Sequence, residues 1–154
     1  AAVPKSMALM LDQPYSGAFL RAYPKFNGLI WAYHWLQVGL YEPLVTEATA
    51  PARRAGIDAA VATFRGMIPG DFPVAMPMTP QVAPTFTARH PRAAAIFDNL
   101  HSLHDIISDI LVSDLVAPDA KRAAIAAALE EFRDGTRNVM SDEEWRGMAA
   151  PHKH

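Results

Sequence analysis

Thirteen prolines divide this chain of 154 residues, and their placement limits it to helices that start and stop at fixed points. Proline fixes φ and lacks a backbone N–H, so it is tolerated in the first turn of a helix and disrupts the interior. Pro24, Pro51 and Pro91 each open a run with apolar residues at helical spacing, and Ala117-Pro118 closes one. Six of the thirteen fall between residues 69 and 91, where no period survives. The alternating patterns of strands are nearly absent. The expectation is an all-α fold of about four main helices in a bundle, crossed by a long proline-rich loop over 69–91.

The whole chain, 1–154, reads as a single helical domain, long enough to bury a core without disulfides or metal staples. Residues 1–15 lack periodicity and are expected as an extended arm, and residues 150–154 as a flexible tail. Helices are expected from Ser16 to about Glu47, as a short one followed by a long one, and from Ala50 to Ile68. Others are expected from about His90 to Asp114, from the Asp119 region to about Asn138, and in a short last run at SDEEW. There Ser141 and Glu144 have capping-box spacing.

Composition excludes several function classes. With 14 basic and 16 acidic residues, net charge −2, there is no field to recruit nucleic acid or an anionic membrane surface. The absence of cysteine removes thiol nucleophiles, iron–sulfur ligation and covalent haem attachment. Only 19% of residues are charged, against about 25% in typical soluble domains, which points to surface covered by a protein partner or by homo-oligomerisation. The start AAVPKS carries small residues of the kind left by an A-x-A-like cleavage site. A periplasmic or secreted protein is therefore expected, with a cytoplasmic one the alternative.

The most apolar stretch, KFNGLIWAYHWLQVGLYE, lies between Pro24 and Pro43. Lys25, Asn27, His34, Gln37 and Glu42 are spread through it, so membrane insertion is not expected. A helix apolar on all sides is the buried centre of a bundle, or is shared with another subunit. Gly28, Ala32, Gly39 and Pro43 gather on one side and would admit another backbone or a flat cofactor.

The helix around HPRAAAIFDNLHSLHDIISDILVSD carries three of the six histidines. At about 100° per residue, Leu100, Leu103, Ile107, Ile110 and Leu111 form an apolar face with His104 inside it and His101 at its edge, while Asp98, Asp105 and Asp109 line a side that looks solvated. Burying an imidazole without a partner costs about 1 to 3 kcal/mol, so His34 and His104 each require a hydrogen bond or a metal. His34, His101 and His104 form a candidate metal set suited to copper or zinc, with Glu42 or Asp105 adding or orienting a ligand. His34 and His104 could instead be the two axial ligands of a b-type haem. Met76, Met78, His152 and His154 would suit copper capture, against a plain packing role.

A ferritin-like di-iron site is excluded because no Glu-x-x-His occurs. His104 and Asp105 cannot act as an acid-base pair, since adjacent helical positions point about 100° apart. No catalytic residue is assigned. The leading functional expectation is an exported helical protein carrying a metal ion or b-type haem on buried histidines, as a carrier or electron-transfer accessory. The alternative is a non-catalytic structural or accessory subunit of a larger assembly, its histidines purely structural.

Overall fold

A computed structural model of the chain describes residues 13–134, together with Ser141, Glu143 and Trp145. Among the described residues there is no strand, and the helices follow one another as α1 (Ala18–Ala22), α2 (Pro24–Thr46), α3 (Ala50–Met67), α4 (Thr79–Val82), α5 (Pro84–Arg89), α6 (Pro91–Val112) and α7 (Lys121–Asp134). The all-α expectation holds, and the long helices lie where the apolar periods placed them. The expected N-terminal arm, apart from residues 13–15, and the C-terminal tail lie outside the described residues. Glu143 and Trp145 of the SDEEW run are helical, and the Trp145 amide donates to the Ser141 carbonyl at 2.9 Å.

Two compact units divide the chain: Lys25–Phe97, and Ala1–Pro24 with Asp98–His154. In the first unit, α2 buries Asn27, Gly28, Ala32, His34, Val38 and Gly39 on one side. These are mostly small residues, and they let neighbouring chain come close. A Cβ added to Gly28 would lie 2.7 Å from Phe72, and one added to Gly56 of α3 would lie 2.4 Å from Pro43 of α2. The small-residue stripe read from the sequence is therefore occupied at Gly28 and Pro43 by this chain itself. Thr49 caps α3 by accepting the Ala52 amide at 3.3 Å, ahead of Pro51 in the first turn.

The proline-rich stretch is not a featureless loop, because α4 and α5 lie within it. Pro80 and Pro84 stand in their first turns, where a missing N–H costs nothing. Prolines read as breakers are, at these positions, starters. Thr79 and Ala83 are fully buried, and Tyr41 of α2 stacks on Phe86 of α5 with ring centres 4.8 Å apart.

The second unit is built on the later part of α6. Leu103, Ile106, Ile110 and Ala128 form its buried cluster, with Tyr15, Ile107, Val116, Ala124, Ile125 and Phe132 packed around it. Ile106 and Ile110 are nearer the centre of the inward face than the sequence reading placed it. Leu100 and Leu111, expected inside, are 55% and 53% exposed. The helix is turned because Asp98, expected in water, is fully buried and accepts the Trp145 indole N–H at 2.9 Å. A buried carboxylate needs such a donor, and a partner 47 residues away leaves no local trace in the sequence. Asp109 is likewise engaged: it accepts the Gly17 and Phe19 amides at 2.8 Å each, satisfying the open end of α1.

Candidate functional site

Each candidate ligand has a definite place. His34 of α2 is 4% exposed and His101 of α6 is 8% exposed, as a core histidine should be. The Nδ1 atoms of both rings are buried without a hydrogen bond of their own, although each side chain has other interactions. His104 is exposed, contrary to the expectation of a core histidine. It lies on the same outward line as Leu100 and Leu111 because Asp98 and Ile106 take the inward positions. Asp105 is half-buried. Among the described residues, no group of three or more His, Cys, Asp or Glu side chains is placed to hold a metal ion.

Glu42 has an identifiable structural task. Its carboxylate accepts the Thr85 amide through both oxygens and the Phe86 amide through one, all at 3.0 Å, at the start of α5. Burial pushes this carboxyl up. The hydrogen bonds from Thr85 and Phe86, with the Arg89 charge nearby, outweigh it and hold the group below its ordinary value. Arg89 in turn donates to the Val45 carbonyl. Glu42 is thus the clamp between α2 and the proline-rich stretch. In the other unit the Tyr15 hydroxyl is pushed up, first by burial and then by the charges of Glu131 and Asp109.

Two surface hollows lie in the unit Lys25–Phe97. One, about 420 Å³, is lined by Lys25, Phe26, Leu29, Ile68, Pro69, Gly70 and Phe72. The other, about 460 Å³, is lined by Arg89, His90, Pro91, Arg92, Ala93 and Ile96. Neither gathers an acid, a base and a nucleophile, so neither offers the parts of a catalytic site.

What the arrangement does offer is apolar surface. On α2, Phe26 is 56%, Tyr33 52% and Leu44 47% exposed. Gln37 on the same line is exposed, and Ile30 and Leu40 are half-buried. The Tyr33 ring rests 4.9 Å from that of Phe64 on α3, which fixes where it points. The expectation that α2 is buried all round is corrected: the small residues are inside and the large ones outside. On α6, Leu100, His104 and Leu111 form a second outward line, and Leu115 follows in the next turn, 74% exposed. Sequence reasoning missed both lines because it took large apolar residues at helical spacing as core; the signal that could have found them was the unbroken 4-3-4-3-4 spacing along α2.

Among the described residues, no helix is long and apolar enough to cross a membrane. The chain matches no protein-family model, no curated protein and no solved structure.

Proposed function

We propose that this chain is a non-catalytic accessory subunit of a larger protein assembly, acting by docking its long helices on protein partners. The observation that carries this reading is the outward line of large apolar side chains on α2, with Phe26, Tyr33 and Leu44 each about half exposed. Contiguous exposed apolar surface on a soluble protein marks a place where something else binds. The similar line on α6 and the low charge content of 19% point the same way. Engagement of Glu42, Asp98 and Asp109 in fixing helix ends and an indole leaves these carboxylates structural roles.

The test is the size of the native species. In extract from cells that make the protein, the chain should elute and sediment in an assembly with other polypeptides, larger than any self-associated form of the purified chain. Elution solely at the size of the purified chain overturns the reading.

Carriage of a metal ion or b-type haem is the second reading, and two buried imidazoles, His34 and His101, favour it. Stoichiometric copper, zinc or iron in the native protein, lost on His34→Ala or His101→Ala, would put it first. A metal-free, colourless protein would remove it.

A further inference from the structure

We propose that two copies of this chain pair antiparallel through α2, along a seam formed by Phe26, Ile30, Tyr33, Gln37, Leu40 and Leu44. This rests on the docking reading above and names the occupant of its strongest surface. The seam positions follow one another at intervals of four, three, four, three and four residues. That is the spacing of the a and d positions of a coiled coil, which keeps one narrow stripe of a helix against a partner helix. The opposite side of α2 is already filled, since Asn27, Gly28, Ala32, His34, Val38 and Gly39 are buried. A solvent-facing stripe of this kind on a helix anchored from behind is half of a helix pair.

The other half is a second copy because the seam reads the same from both ends. A two-fold axis crossing the seam at the level of Trp35 sets Phe26 opposite the partner's Leu44 and Ile30 opposite the partner's Leu40. It also sets Tyr33 opposite the partner's Gln37. An isologous interface requires such self-complementary spacing. It resolves the one polar position as well. Gln37 would lose hydrogen bonds to water in a foreign apolar groove, whereas here its amide meets the hydroxyl of the partner's Tyr33, and this happens twice.

Charge selects the direction. The six seam residues carry none. Lys25, exposed, and Glu47, half-buried, lie on the same flank at opposite ends; the Glu47 amide donates to the Pro43 carbonyl at 3.2 Å and continues the helical turn. Antiparallel pairing brings each Lys25 to the partner's Glu47, while parallel pairing would set like beside like. A net charge of −2 per copy opposes association only weakly. The seam is one helix wide and roughly 27 Å long at 1.5 Å per residue. It covers less than the roughly 800 Å² per partner of a standard interface, so the pair is a reversible one with a dissociation constant on the order of micromolar.

Sedimentation velocity on the purified full chain, from about 5 to about 500 µM to bracket a weak dimer, tests this. A reversible monomer–dimer equilibrium is expected. Leu44→Glu should weaken it by at least about tenfold with an unchanged circular dichroism spectrum, because the site is exposed in the monomer. Lys25→Glu should weaken it, and Lys25→Glu with Glu47→Lys should recover it. A monomer at every concentration, a dimer indifferent to Leu44→Glu, or a charge swap without recovery overturns the pairing. A monomeric purified chain leaves the accessory-subunit reading to be judged by the native assembly. A native chain found solely as its own dimer overturns that reading and leaves this pairing intact.

Discussion

The two longest helices use opposite residues to hold themselves in place. α6 turns bulky aliphatics inward, with Ile110 fully buried and Ile106 nearly so, and relies on the volume they fill. α2 turns Gly28, Ala32 and Gly39 inward and relies on close approach, with Phe72 at Gly28 and Gly56 of α3 at Pro43. A helix that packs through its small residues has nowhere inside for its large ones. Phe26, Tyr33 and Leu44 therefore face out as a consequence of how α2 is anchored. Hydrophobic content alone does not separate the two helices; the size of the residue on each face does.

The contrast can be broken most sharply on α6, where adjacent residues should behave differently. Ile110→Ala should cost about 3 kcal/mol of unfolding free energy through lost burial and the cavity left behind. Leu111→Ala, one position on and 53% exposed, should change it by less than about 0.5 kcal/mol. Urea unfolding of the two variants measures both. Equal losses would mean that α6 is turned differently from the description given above.

Next in size is Asp98→Ala, which strands the buried indole N–H of Trp145 and should cost about 2 kcal/mol. Thermal unfolding followed by tryptophan fluorescence would show it. On α2's side, Gly56→Ala should destabilise by about 1 kcal/mol. The contact with Pro43 at 2.4 Å imposes a strain of about 1 to 3 kcal/mol that exceeds the roughly 1 kcal/mol gained in helix propensity. A stabilising Gly56→Ala would show that close approach does not hold α2.

Acidification should separate the clamp from the rest. The Glu42 carboxyl is held below its ordinary value, so its contribution is complete above the unfolded carboxylate pKa of about 4.3 and disappears as pH falls through the lower folded value. Glu42→Gln should already lack that contribution at pH 7 and lose less on acidification than the unaltered protein. Parallel denaturation curves from pH 7 down to about pH 3 for the two proteins would show the difference, and parallel losses would deny Glu42 this role. The smallest effect belongs to Leu44→Ser, within about 0.5 kcal/mol for the monomer because the site is half exposed. A larger loss in dilute solution would make Leu44 part of the fold and not of a docking seam.

Much of the fold was legible in the sequence. Pro24, Pro51 and Pro91 mark the first turns of α2, α3 and α6, and the burial of His34 and His101 agrees with the apolar company seen around them. α4 and α5 were not legible, because the prolines that begin them also erase the apolar period that would announce them. Asp98 and His104 were exchanged between inside and outside. Helical periodicity gives the angles between residues but not the rotation of the helix about its axis.

The sequence by itself determined that this protein is helical, where its long helices begin, and which chemistries cysteine-free composition forbids. Those are consequences of backbone sterics and residue inventory, which act locally. The tertiary structure alone decided which face of each helix is covered. That choice was set by contacts between residues far apart in the chain: Trp145 with Asp98, Gly17 and Phe19 with Asp109, Phe86 with Glu42, Gly56 with Pro43. Each such contact is a matter of distance and fit between surfaces, and no run of neighbouring residues encodes it.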